Sequence, residues 1–308
     1  AVALSGGSVQ VSRTTETAQA DTAKVAELLG LEGADFVEAV TTMPYEKLKE
    51  ACDAAGISYG PVVDGDYIPT GTYEMSADIP FIASNVLGEF TTNYAEVVPY
   101  APSQDVANML QYMDDEMAAA QYISKYGEEL GPQIMAAFQE AYPNHPLKDG
   151  LYLNNRYGAG MTAIPLCDAM ISYGGTAYNS LLAYDYAMYN GIVPIHTASS
   201  IPFWFNNVHD IPEFIAGDEV SAYKQGELVS GALAAFAKTG NPSTETNEWA
   251  PYTTENHECM VFDAENTSCR INHDKALFDL INQAPSSSGA AAAEEAEEAP
   301  AAEEVPAE

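Results

Sequence analysis

The stretch Ile79-Pro80-Phe81-Ile82-Ala83-Ser84-Asn85-Val86-Leu87-Gly88-Glu89-Phe90 holds the most strand-like run in the first half of the chain. A short apolar run that ends at glycine and a polar residue is typical of a buried strand leading into a loop. A second, weaker strand pattern covers 177–186 and leads to a loop that contains His196. Helical patterns lie between these runs, and strands that alternate with helices indicate a mainly parallel sheet covered by helices on both faces. The sequence therefore predicts an α/β fold.

Several further segments have patterns that predict regular structure. The predicted helices cover 22–29, 35–43, 45–55, 103–126, 133–142, 159–173 and 219–238. Pro165 predicts a break in the sixth of them. The apolar run 1–4 predicts a buried strand, and 60–69 predicts a strand followed by a tight turn. Three good core strands are few for 308 residues, which we interpret as a sign that a larger sheet has been cut.

The acidity of the chain limits the partners it can have. Its formal net charge is −34, and seven glutamates of the segment 284–308 account for only a small part of it, so the rest still carries −27. Such a charge argues against nucleic acid and anionic membrane surfaces as partners. No apolar run is long enough to predict a membrane span, and no leader pattern indicates a compartment.

The composition divides the chain into two parts. Residues 1–282 have a globular composition and are long enough for one large domain or two ordinary ones. Residues 283–308 consist almost entirely of Ala, Glu, Pro and Ser, have almost nothing to bury, and are predicted to be disordered.

The four cysteines leave two alternatives open. Cys52 and Cys167 lie in helical or apolar surroundings and are predicted to be buried free thiols. Cys259 and Cys269 flank a predicted turn, so they face one another if their segments form a hairpin, but two unpaired cysteines are at least as compatible with the spacing. No Cys-x-x-Cys or His-x-x-x-His pattern accompanies them, and we expect no metal site.

Four segments occur in the order typical of one family: 1–8, 61–69, 79–90, and 236–242 with 249–252. They read AVALSGGS, PVVDGDYIP, IPFIASNVLGEF, and FAKTGNP with WAPY. Together they resemble the type-B carboxylesterases, the family that includes cholinesterases and bacterial para-nitrobenzyl esterases. The resemblance covers about residues 1 to 282 and implies the C-terminal part of an α/β-hydrolase fold.

The resemblance implies roles for two residues. Glu89 is expected to be the acid of a Ser-His-Glu triad, and His196 its general base. The pattern Gly-x-Ser-x-Gly, which carries the nucleophile on a strand-to-helix turn in such folds, occurs once, at 56–60, where it follows a predicted helix and not a strand. The segment 1–8 resembles the strand that comes after the nucleophile helix of the family. The resemblance therefore places the serine and the oxyanion loop upstream of Ala1, and the chain alone is expected to be inactive. The complete enzyme would hydrolyse a small-molecule carboxylic ester without metal or organic cofactor.

Two other interpretations remain open at this point. One is a non-catalytic binding or adhesion protein with an esterase-like fold. The other is one half of a split esterase, whose missing N-terminal segment acts in cis or in trans. The stretch after His196, Ser199-Ser200-Ile201, is one residue longer than in the family pattern. The remaining histidines, at 145, 209, 257 and 273, are predicted to be loop or surface residues, and Asp64-Gly65-Asp66 is predicted to be a turn without bound calcium.

Overall fold

The computed structural model describes residues 1–6, 13–57, 59–69, 72–89, 113–153, 156–157, 163–186 and 199–284. Within them, no helix is both long and apolar enough to cross a membrane. Residues 285–308 of the predicted tail 283–308 lie outside this part of the chain, and so do residues 103–112 of the predicted helix 103–126.

Strands and helices follow one another along the chain in an α/β order. The strands are β1 (Val2–Leu4), β2 (Arg13–Thr14), β3 (Val62–Val63), β4 (Phe81–Val86), β5 (Ala177–Leu182), β6 (Cys259–Phe262) and β7 (Ser268–Arg270). The α-helices are α1 (Thr15–Leu29), α2 (Gly33–Thr42), α3 (Tyr45–Ala55), α4 (Thr72–Met75), α5 (Asp115–Ala141), α6 (Ala163–Ser172), α7 (Ile201–Trp204), α8 (Pro212–Ile215), α9 (Glu219–Thr239) and α10 (Lys275–Ile281). Short 3₁₀ helices cover Leu147–Tyr152, Val208–Asp210 and Ala264–Asn266.

The main sheet has the strand order β1-β4-β5-β6-β7. The first four strands are parallel to one another, and β7 pairs antiparallel with β6. In the central pair, Val86 of β4 lies opposite Leu182 of β5, and Leu182 lies opposite Phe262 of β6. A separate parallel pair joins β2 to β3. The mainly parallel sheet predicted from the sequence is confirmed, with five strands rather than three.

Helices cover both faces of this sheet. Successive strand residues point to opposite faces, so Ile82 and Ala83 of β4 belong to different cores. Ile82 packs in a large core that includes residues of α5 and α9, whereas Ala83 packs in a smaller core formed mainly by α6. Since every residue of β5 and β6 is buried, these two strands are covered on both faces.

Some helix boundaries differ from the predicted ones for local reasons. Helix α1 begins at Thr15, not at residue 22, because the side chain of Thr14 caps it by accepting from the backbone N–H of Thr17. Pro165 does not break α6, because the helix begins at Ala163 and proline is tolerated in the first turn. The two helices predicted around 126–133 form one segment, α5, that bends at Gly127, where φ is +85°.

The predicted hairpin near the C-terminal end exists, but its cysteines do not face one another. In the antiparallel register of β6 and β7, Cys259 lies opposite Arg270 and Cys269 lies opposite Met260. Since neighbouring residues of a strand point to opposite faces, the two thiols lie on opposite faces of the sheet. All four cysteines are free, and Cys52 and Cys167 are buried as predicted.

Candidate functional site

Three acidic side chains follow three neighbouring strands at the same edge of the sheet. Glu89 follows β4, Asp185 follows β5, and Asp263 follows β6. The hydrogen-bond ladder continues beyond the strand ends, since Leu87 N–H donates to Leu182 O and Ala183 N–H to Phe262 O, each at 2.9 Å. Open α/β sheets place their functional sites at the carboxyl ends of parallel strands. This edge is therefore where the residues with chemical capability are concentrated.

Glu89 is buried and held by hydrogen bonds from its own strand. The residue is only 5% exposed. Its Oε1 accepts a hydrogen bond from the Val86 backbone N–H at 2.9 Å and another from Asn85 Nδ2 at 3.1 Å. Asn85 is itself fixed, because its Oδ1 accepts from the N–H of Ala163 at the start of α6. Donors that hold a carboxylate oxygen limit its rotation. This arrangement suits an acid that must orient another group.

His196, the predicted base, lies in the segment 187–198, outside the residues that the structure describes. Both flanks of that segment are described. Tyr186, which precedes the segment, lies three residues beyond Ala183. Ser199, which follows the segment, lies two residues before α7. The hydroxyl of Tyr186 donates to the backbone carbonyl of Ser199 and so holds the two flanks together. The segment that carries His196 therefore starts and ends at the carboxyl end of β5, beside the strand that leads to Glu89.

A second group of polar side chains surrounds His145 at the same edge. His145 Nδ1 lies 2.9 Å from Asp185 Oδ2 and 3.3 Å from Asp149 Oδ2. Its other ring nitrogen, Nε2, lies 3.6 Å from Asp263 Oδ1. His145 and Asp149 come from the turn after α5 and the 3₁₀ helix that follows it, so three separate parts of the chain meet here. We call His145, Asp149, Asp185 and Asp263 the His145 cluster.

Burial and mutual charge perturb the protonation of this cluster. Burial alone lowers the pKa of His145, but hydrogen bonds to Asp149, Asp185 and Asp263 outweigh it and raise the pKa well above its ordinary value. The pKa of Asp149 is also raised, first by burial and then by the nearby charge of Asp185. Strongly perturbed groups at the carboxyl edge of a parallel sheet mark this cluster as a candidate site.

The sequence did not reveal this cluster. His145 is a loop residue, as predicted, but its side chain is only 3% exposed. His209 is exposed, with 66% of its side chain accessible, and His257 and His273 are partly buried in turns. The one sequence feature that could have indicated the cluster is that His145 and Asp149 are four residues apart. Asp185 and Asp263 join them through the pairing of β5 with β6, which one sequence does not specify.

Comparison with known proteins finds sequence similarity to carboxylesterases. The model of the carboxylesterase family matches residues 1–279. The para-nitrobenzyl esterase of Bacillus subtilis (strain 168) is 35% identical over 71 residues, which cover 23% of this chain and 14% of that protein.

Solved esterase structures share the fold. An esterase from anaerobic Clostridium hathewayi, which can hydrolyse aliphatic aromatic polyesters, superposes with a TM-score of 0.71 at 20% identity, over 92% of this chain and 56% of that one. A carboxylesterase of Geobacillus stearothermophilus superposes with a TM-score of 0.55 at 21% identity, over 90% and 57% of the two chains. The chain thus spans a little over half the length of these esterases. The likeness confirms the α/β-hydrolase fold expected from the sequence.

Proposed function

The chain belongs to the carboxylesterase family, and from that premise we propose that it supplies the acid and the base for the hydrolysis of carboxylic esters. Glu89 is the acid and His196 the base of a Ser-His-Glu triad. The serine comes from a Gly-x-Ser-x-Gly segment between a strand and a helix, and the match at 56–60 is a different one because it follows helix α3 and precedes strand β3. The substrate is a small carboxylic ester, and the reaction passes through an acyl-serine intermediate.

One observation carries this proposal. Glu89 is a buried carboxylate that follows β4, and the two flanks of the segment that holds His196 are joined by the Tyr186–Ser199 hydrogen bond just beyond the neighbouring strand β5. Adjacent parallel strands lie about 4.8 Å apart, so a loop that starts beside the end of β5 is close enough to Glu89 to supply its hydrogen-bond partner. An isolated carboxylate in a solvated loop would need neither the burial nor the hydrogen bonds that Glu89 has.

Each residue has a definite task in this mechanism. The imidazole of His196 takes the proton of the serine hydroxyl as the serine attacks the ester carbonyl, and then gives it to the departing alcohol. Glu89 accepts a hydrogen bond from the other ring nitrogen, which fixes the tautomer and stabilises the imidazolium. In the second half of the reaction, the same histidine activates the water that hydrolyses the acyl-serine. Asn85 and the Val86 amide keep the carboxylate of Glu89 oriented throughout.

The test compares the chain alone with a polypeptide that also holds the serine segment, the strand–Gly-x-Ser-x-Gly–helix unit of the family, supplied in cis or as a second chain. A short-chain nitrophenyl ester is the substrate. We expect no turnover by the chain alone above that of its Glu89→Gln, His196→Ala double variant. With the serine segment present we expect turnover that either single substitution lowers by about 10³-fold or more.

His209→Ala is the matched control, because His209 is an exposed histidine far from the strand ends in sequence. It should leave turnover unchanged. Turnover by the chain alone that His196→Ala abolishes would place the nucleophile within these 308 residues. Full activity of Glu89→Gln in the serine-containing polypeptide would remove Glu89 from the triad. No turnover by any serine-containing form would favour the non-catalytic binding protein.

A further inference from the structure

The His145 cluster carries more negative charge than its protein partners balance. Three carboxylates, those of Asp149, Asp185 and Asp263, surround one imidazole. Every ion pair that these carboxylates form within the described part of the chain is to that imidazole. With all three carboxylates ionised and His145 protonated, the cluster has a net charge of −2. The side chain of Asp149 is fully buried and that of Asp185 is 22% exposed, so water screens this charge poorly.

The cluster also contains buried polar atoms that have no hydrogen-bond partner among the residues that the structure describes. They are Asp149 Oδ1, Asp185 Oδ1 and His145 Nε2. Burying a carboxylate oxygen without a hydrogen bond to replace those it made with water costs roughly 1–3 kcal/mol or more of folding free energy. Asp149 directs a fully buried carboxylate, half of it unpaired, at the ring of His145. Surplus negative charge and unpaired acceptors together favour a positively charged ligand.

We propose that His145, Asp149 and Asp185 bind a divalent transition-metal ion, Zn²⁺ or Mn²⁺. One donor atom from each of the three lies within 4.8 Å of the others, a span that a single ion can bridge after small side-chain adjustments. The donors are one imidazole nitrogen and two carboxylate oxygens, a mixed set that suits zinc or manganese better than calcium or magnesium. Nδ1 is the ligand nitrogen, because both carboxylates approach that side of the ring.

Asp263 has a different task in this site. Its Oδ1 faces Nε2, the ring nitrogen that is turned away from the other two carboxylates. At 3.6 Å this carboxylate is just beyond hydrogen-bond distance, and a small shift of Asp263 on metal binding would let it accept the Nε2–H, which leaves Nδ1 unprotonated and free to bind metal. Metal-bound histidines commonly have such a partner, which fixes both the tautomer and the ring orientation. The arrangement Asp263–His145–metal therefore accounts for the fourth member of the cluster.

The bound ion would be structural, because it joins three parts of the chain. It connects the turn after α5 and the following 3₁₀ helix to the exit of β5, and through Asp263 to the exit of β6. Asp185 lies two residues before the segment that carries His196. The ion would thus also fix the start of that segment. This site is separate from Glu89 and does not depend on ester hydrolysis.

The test uses the full chain after chelator treatment and dialysis. Titration with Zn²⁺ and with Mn²⁺, followed by calorimetry, should give one ion per chain, and the thermal midpoint should rise by several degrees once the ion exceeds its dissociation constant about 100-fold. Mg²⁺ and Ca²⁺ should bind more weakly. Asp149→Asn keeps the size of the side chain but removes a ligand charge, and it should weaken binding by about 10-fold or more.

Two further variants make the result decisive. Asp185→Asn alters a more exposed ligand and should weaken binding similarly, so the proposal can be judged even if Asp149→Asn folds poorly. Asp210→Asn removes the carboxylate beside the exposed His209 and should leave affinity unchanged. Absence of stoichiometric binding to the wild-type chain overturns the proposal. So does equal affinity in the wild type and in folded Asp149→Asn or Asp185→Asn. Ester hydrolysis is not measured in this experiment, so its result does not depend on the proposed function.

Discussion

Asn85 connects Glu89 to the framework of the fold. Its side-chain amide donates to Glu89 Oε1, and its carbonyl accepts from the Ala163 N–H at 2.6 Å. One buried side chain thus links the exit of β4 to the start of α6. The first backbone N–H groups of a helix have no partner within the helix, so this contact also caps α6.

Substitution of Asn85 by Ala should lower the free energy of unfolding by about 2–4 kcal/mol, because it leaves a buried N–H without this acceptor and opens a small cavity. Urea unfolding followed by circular dichroism would measure the change. Asn247→Ala is the control, since the side chain of Asn247 bonds only to the neighbouring Thr246 hydroxyl among the contacts described and should cost less than about 0.5 kcal/mol. Equal effects of the two substitutions would contradict the role assigned to Asn85.

His273 should make the protein less stable in mild acid. Burial lowers its pKa to about 4, although the charge of Asp274 opposes the shift and that of Arg270 adds to it. Between pH 6.5 and 4 the unfolded chain therefore binds a proton at this residue and the folded chain does not. Stability is lost as the pH falls through that window, by at most roughly 3 kcal/mol.

The variant His273→Asn should remove this part of the pH dependence. The difference in unfolding free energy between the variant and the wild type should shift in favour of the variant as the pH falls from 7 to 4. His209→Asn, at an exposed histidine, should show a nearly constant difference over the same range. Chemical denaturation at a series of pH values measures both. A constant difference for His273→Asn would show that its folded-state pKa is not depressed.

At the scale of elements, the 3₁₀ helix Leu147–Tyr152 needs a glycine at its centre. A Cβ atom at Gly150 would collide with the Tyr122 hydroxyl and lie 2.8 Å from the ring of Phe138. That hydroxyl donates to the Leu147 carbonyl and so joins α5 to the 3₁₀ helix. The close contact of these two elements is what places Asp149 opposite the ends of the strands.

Gly150→Ala should therefore destabilise the fold by about 2–3 kcal/mol, because either Tyr122 or the 3₁₀ helix must shift. Gly231→Ala is the matched control: Gly231 lies within α9, and an added Cβ would meet no atom within 4 Å. That substitution should stabilise the protein by about 0.5–1 kcal/mol through helix propensity. Thermal unfolding of both variants would test the pair, and a neutral Gly150→Ala would contradict the packing described.

An element could be predicted from the sequence when the pattern that specifies it lies within the element itself. Strand β4 and helix α9 were predictable because a continuous apolar run and a helical period with a following glycine lie within each segment. Strand β7 has only three residues and gains its place from pairing with β6. Glu89 was predicted from a family resemblance, but its hydrogen bonds from Asn85 were not. The His145 cluster depends on residues 118 positions apart, and such contacts follow from topology.

At the scale of the whole molecule, the charge is the dominant property. The chain has 45 acidic and 11 basic side chains, and the basic ones are too few to pair with most of the acids. Folding brings these charges closer together, so their repulsion lowers the stability of the compact state. At low ionic strength this repulsion acts over about 30 Å, comparable with the size of the domain, whereas in 0.1 M salt it is screened beyond about 10 Å.

The thermal midpoint should therefore rise by a few degrees when NaCl increases from 10 to 200 mM, with a chelator present so that divalent ions play no part. A shorter chain without residues 285–308 loses seven glutamates and still has a net charge of −27, so it should keep most of this response. Differential scanning calorimetry of both forms would measure it. A midpoint that does not change, or that falls with salt, would mean that attractive ion pairs outweigh the repulsion. The folded chain would then place its few basic residues where they offset the repulsion between acidic residues more than their number suggests.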